Sequence, residues 1–140
     1  MTDEYPFQCG CYSITWGVGA AAMDSLAKRD SSWSKVSSIT NSKTNGTIVV
    51  ARHKGREYYL DFTESDKFYS MNYMAGRTDL DSVSVMIQRY YGEPDRSDRP
   101  NGHFEGKLWS IVGDSVNLQI ELLITNENFS LKVLNKNISN

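Results

Sequence analysis

A chain of 140 residues, 39% hydrophobic and 23% charged, has the make-up of one globular domain large enough to bury a core. Its net charge of −2 lacks the basic surplus of a general nucleic-acid binder. No apolar run approaches the roughly 20 residues that a membrane-spanning helix needs.

Residues 1–10 read as a loose arm punctuated by Pro6 and Gly10. They show neither a basic start nor an apolar core of a leader, so the chain as written reads as cytoplasmic, or as an exported form whose leader has been removed. Cys9 and Cys11 stand one residue apart, which strains a mutual disulfide. Two thiolates do not complete a zinc site, and the two histidines are distant in sequence. Two structural thiols are expected, with no metal and no cofactor. Neither cysteine follows the Leu-small-small pattern of a lipidation site.

Tyr12 to Trp16 is aromatic and β-branched and predicts a strand. Gly17-Val18-Gly19-Ala20-Ala21-Ala22 then leads into a helix over 18–29, with Lys28 and Arg29 at its C-terminal end. The stretch matches the letters G-x-G-x-x-A of a dinucleotide fingerprint. The acidic residue that should end a second parallel strand is missing, so the small residues are expected to start a helix and let it pack close. Ser31 to Asn45 is polar, with one irregular strand over 33–40. Asn45-Gly46 turns the chain. Strands follow over 47–52, 56–62 and 67–74. Tyr58, Leu60 and Phe62 alternate with Glu57, Tyr59 and Asp61, and Lys54-Gly55 makes a tight turn.

Thr78 to Pro94 carries the clearest helix. Thr78 is the expected N-cap, with Asp81 completing an aspartate capping box. Leu80, Val83, Met86, Ile87, Tyr90 and Tyr91 form one apolar stripe. Gly92 and Pro94 end it. Residues 93–106 read as a charged loop. An EF-hand fails there: with Gly102 at the sixth position, Ser97, Arg99 and Leu108 fall on ligand positions. A phosphate-binding loop also fails, because Asn101 stands where the first glycine belongs and Leu108 follows Lys107. Strands are expected over 107–112, 116–122 and 129–134, with turns at Gly113-Asp114 and 126–128 and a frayed tail over 135–140.

The layout is α+β: one antiparallel sheet with both helices on one face, as a first half over 11–76 and a second over 77–134. Thr15-Trp16-Gly17-Val18, and Tyr91-Gly92-Glu93-Pro94 followed by a strand with Trp109 and a last strand ending Leu131-x-Val133-Leu134-Asn135, together resemble small exported bacterial proteins built from tandem α-β-β-β units. The β-lactamase inhibitory protein and the small lipoproteins of outer-membrane assembly belong to that class. The resemblance implies a domain that binds another protein rather than catalysing.

His53 and His103 have no nucleophile motif beside them. Asp79/Asp81 and Asp95/Asp98 fit a helix start and a solvated loop. The expected function is therefore non-enzymatic protein binding, as an inhibitor or immunity-type protein. An envelope ligand-binding or structural domain, and a small enzyme with dispersed site residues, are the alternatives. The candidate contact residues are Arg52, Lys54 and Arg56 around the hairpin, with outward Tyr59 and Phe68 on the sheet face opposite the helices. Asn45, Asn128 and Asn137 begin glycosylation sequons, relevant only to a eukaryotic secreted chain.

Overall fold

The structure is a computed structural model that describes residues 6–98, 104–113 and 116–138. A small hairpin, β1 (Gly10–Cys11) and β2 (Ile14–Thr15), leads to helix α1 (Ala21–Arg29). Strands β3 (Trp33–Thr40), β4 (Thr47–His53), β5 (Arg56–Phe62) and β6 (Phe68–Gly76) follow. A 3-10 turn (Arg77–Asp79) opens into helix α2 (Leu80–Tyr91). Strands β7 (Arg96–Asp98), β8 (Glu105–Val112), β9 (Asn117–Ile124) and β10 (Asn128–Asn135) complete the order.

The eight strands from β3 onward form one antiparallel sheet in the order β3-β4-β5-β6-β10-β9-β8-β7. The α+β class expected from the pattern is the one observed. Each helix is followed by four strands rather than three. The additional strand of the second half is β7, a three-residue edge strand inside the stretch read as a charged loop.

The register explains the core. Val49 lies opposite Leu60, Leu60 opposite Met71, Met71 opposite Val133, Val133 opposite Ile120 and Ile120 opposite Trp109. This row crosses six strands, and every member is fully buried. Because side chains alternate along a strand, the same face also carries Tyr58, Tyr73, Leu131, Leu122, Leu118 and Phe129. Met23 and Leu26 of α1 and Leu80, Val83 and Ile87 of α2 belong to the same buried cluster.

The two helix starts are held by partners distant in sequence. The Ala20 N–H at the head of α1 donates to Asp66 Oδ1 at 2.9 Å. A methyl on Gly19 would approach Asp66 Oδ2 to 2.5 Å. The glycine-rich turn thus brings a helix N-terminus against a carboxylate of its own chain. That is the close packing expected, with an aspartate where a phosphate would sit in a nucleotide site. At α2 the expected capping box does not form. The N-cap is Asp79, one residue beyond Thr78, and no side chain caps the turn. The Asp79 carboxylate instead bonds Arg56 at 2.8 Å. Gly92 ends the helix as expected, with φ 77° and its N–H on Gln88 O.

Both supposedly loose ends are packed where described. Phe7 is buried in the core, Trp16 Nε1 donates to Phe7 O at 2.8 Å, and Gln8 Nε2 donates to Tyr91 Oη at 3.0 Å. Asn135 is buried and Lys136 N–H bonds Asn117 O. Burial of one aromatic ring and one strand end accounts for the order at each place. The expected turn at Asp114, His103, and the far ends of the arm and tail lie outside the described residues.

Leu60→Ala removes the centre of the buried row and is expected to cost about 2–5 kcal/mol, measured by urea unfolding. Gly46→Ala would set a methyl 2.1 Å from Phe62 O. It is expected to lower the urea midpoint by the equivalent of about 1–3 kcal/mol, the usual range for overpacking.

Candidate functional site

The opposite face of the sheet is open. One row crosses all eight strands: Ser37, Val50, Tyr59, Asn72, Lys132, Glu121, Leu108 and Arg96. Apart from Val50 and Ser70, the residues of this face are half-buried or exposed. Tyr59 is 40% exposed, Met74 64% and Leu123 37%. Toward β7 the face dips into a shallow cavity of about 170 Å³ between Arg96, Leu108, Gln119, Glu121 and Leu123.

Near the middle of this face stands Asp61, opposite Ser70. Burial pushes its carboxyl above the usual carboxylate range, and the nearby Ser70 hydroxyl and Lys132 ammonium offset only part of that. Burial and then Asp61 itself push the neighbouring Tyr69 phenol up.

The five candidate contact residues do not form one surface. Tyr59 and Arg52 lie on the open face, and Arg52 is tied to Glu57, its cross-strand partner. Lys54 sits in the two-residue turn with Gly55, both in the left-handed conformation at φ 52° and 81°. Phe68 is fully buried and stacks on Trp16 at 4.9 Å between ring centres, so it is core. Arg56 lies on the buried face. The tight turn pairs it with His53, and alternation then groups it with Tyr58 and Leu60 rather than with Tyr59.

Arg56 there meets a cluster of tyrosines. Its guanidinium lies 4.3 Å above the centre of the Tyr73 ring and bonds Asp79. Tyr12 occupies a left-handed turn at φ 52° in the β1–β2 hairpin. Its ring packs 5.2 Å from Tyr58 and 6.5 Å from Tyr73, and Tyr58 and Tyr73 are 5.2 Å apart. Desolvation, and then Tyr73, push the Tyr12 phenol well above its usual value. Burial pushes Tyr73 up as well, opposed by the adjacent Tyr12 hydroxyl and Arg56. Burial works against the Arg56 charge, but Tyr73, Tyr58 and Tyr12 more than offset it. Tyr73 Oη is nevertheless buried outside hydrogen-bond geometry with any group of the described residues. Beside the cluster, residues 6–15 line an open cleft of about 360 Å³.

A second grouping not foreseen in the sequence joins Asp30, Ser32 and His53. Ser32 Oγ donates to Asp30 Oδ1 at 2.6 Å and lies 3.2 Å from His53 Nδ1. The Ser32 N–H also bonds Asp30 Oδ1 at 3.0 Å. His53 stacks on Trp33 at 4.2 Å. The serine proton points to the aspartate, and the aspartate supports the serine rather than the histidine. This is the reverse of a hydrolase triad, and the arrangement reads as a turn that anchors the start of β3.

The remaining groups have structural explanations. Cys11 is buried and its thiol is pushed well above its usual value by desolvation, whereas Cys9 is exposed. Among the described residues no three His, Cys, Asp or Glu side chains converge as a metal site. Asp95 Oδ2 accepts the Ser110 N–H at 2.7 Å, and Asp98 pairs with Arg96 at 3.2 Å. Among the described residues no helix is long and apolar enough to cross a membrane. Compared with protein-family models, curated proteins and solved structures, the chain matches none of them.

A carboxyl whose pKa is higher in the folded than in the unfolded chain holds an extra proton in the fold between those two values. Its stability contribution is full below the unfolded value and is lost as pH rises through the folded one. Asp61→Asn is therefore expected to raise the urea midpoint at neutral pH and to flatten its fall with pH in the weakly acidic range. Unchanged pH dependence would show that Asp61 is well solvated.

Proposed function

We propose that this chain is a non-enzymatic protein-binding domain that meets its partner through the open face of the sheet. One observation carries the reading: a broad eight-stranded sheet has one face in the core, while the other presents Tyr59, Met74 and Leu123 to solvent. An aromatic and a thioether in a polar surround are the usual composition of a contact centre. The half-buried Asp61 adds a group that an incoming cation would stabilise.

The finer architecture belongs to the same proposal. The strands run β3-β4-β5-β6 and then β10-β9-β8-β7, each set preceded in the chain by one helix whose buried residues join a single cluster. This mirrored order favours two tandem units with both helices on one face, four strands to a unit. The resemblance to small exported bacterial inhibitors extends the proposal to an inhibitor or immunity role. A ligand-binding domain is the second reading, favoured by the arginine and tyrosine cluster on the other face.

The face is testable by affinity capture from the host with tagged protein. Tyr59→Ala together with Met74→Asp is expected to weaken a stoichiometric partner about 10-fold or more, the usual loss at a contact centre. Val85→Asp, on the 61% exposed side of α2, is expected to leave binding intact. The reverse pattern would place the contact on the helix side, and the absence of any partner would remove the protein-binding reading.

A further inference from the structure

Independently of the open sheet face, we propose that Arg56, framed by Tyr12, Tyr58 and Tyr73 and facing the first turn of α2, binds a single oxyanion group, a carboxylate or a phosphate.

Three observations converge. Arg56 is a partly sheltered guanidinium held over the Tyr73 ring, with side-chain exposure of 23%. Packing fixes its orientation, so little rotamer freedom remains to be lost on binding, and its fork of donors suits a two-oxygen ligand. The Tyr73 hydroxyl, on the ring beneath that guanidinium and on a residue 1% exposed, has the Tyr12 hydroxyl next to it but makes no hydrogen bond of full geometry among the described residues. A buried hydroxyl left unsatisfied is costly, and an anion oxygen next to the arginine would accept from it. The start of α2 also has no side-chain cap. Its N-cap residue is Asp79, the same residue that bonds Arg56, so the positive end of a twelve-residue helix lies one side chain from the guanidinium.

Asp79 is the resident anion. Its side chain is 53% exposed, and a pair of that kind is held weakly against solvent. An entering carboxylate or phosphate would take its place on Arg56, gain the Tyr73 hydroxyl that Asp79 leaves unused, and approach the uncapped turn. Tyr12 and Tyr58 supply further hydroxyls and flat apolar walls. The aromatic enclosure limits the group to a small one, and the open cleft along residues 6–15 beside Tyr12 gives room for what carries it.

The experiment is an amide and arginine-side-chain NMR titration at constant ionic strength, with chloride as the reference salt. Inorganic phosphate tests a free anion. A short neutral peptide with a free C-terminal carboxylate, against the same peptide amidated, tests one carried on a chain end. Saturable shifts at Arg56 and at Ser82 and Val83 are expected with at least one of these probes, and the amidated peptide is expected to be inert. Arg56→Gln should weaken the response at least tenfold, and Tyr73→Phe, which keeps the stacked ring, severalfold. Asp79→Asn should strengthen it severalfold by removing the competitor, an effect that a purely structural ion pair would not produce. If Arg56→Gln fails to fold by circular dichroism, the Asp79→Asn and Tyr73→Phe arms decide. Linear shifts with every probe, or shifts unaltered by Asp79→Asn and Tyr73→Phe, would overturn the site.

Discussion

The pairing of β6 with β10 is the constraint on which the rest of the molecule depends. It joins the strands that follow α1 to the strands that follow α2, and it does so in the middle of the sheet. Its register sets Met71 against Val133 and Tyr73 against Leu131, which aligns the apolar rows of the two halves into one continuous face. A slip of one residue would turn Val133 and Leu131 to solvent and break the row from Val49 to Trp109. Met23, Leu26, Val83 and Ile87 of the helices join the same buried cluster. The open face follows from the same alternation, as do the positions of Tyr59, Asp61 and Lys132 on it.

Much of this was legible in the chain. The strands β5 and β9 show clean alternation, and α2 has both a stripe and a stop. Local pattern was sufficient there because local burial decides the structure. It failed where a distant group intervened. Thr78 and Asp81 have the letters of a capping box, but Asp79 is drawn to Arg56 and the start of the helix moves by a residue. Simple alternation along its strand would turn Phe68 outward with Asn72 and Met74. A register shift between β5 and β6 leaves Tyr69 as the extra residue, so Phe68 lies opposite Phe62 and faces inward. Nothing in the letters marks that irregularity.

The placement of Arg56 is the instructive case. Three basic residues close together suggested one knob at a hairpin tip, yet the tight turn and the period of two already separate Arg52 from Arg56. The two arginines serve opposite faces, one against Glu57 and one against a tyrosine ring and a helix start. The tyrosine cluster itself joins residues from three separate stretches of chain. Tyr12 enters it through a left-handed turn where the sequence predicts a strand, so its proximity to Tyr58 and Tyr73 is a property of the fold alone.

The position of β10 has a consequence for the order of events during synthesis. It is translated after every other described strand, yet it lies between β6 and β9 in the interior of the sheet. Until it arrives, β6 has a bare hydrogen-bonding edge and β9 has another, both next to strands whose inner faces are largely apolar. Such a pairing is long in sequence and slow to close. The nascent chain therefore carries two unsatisfied strand edges until its last strand clears the ribosome, and that interval is when it is most exposed to mispairing with its neighbours.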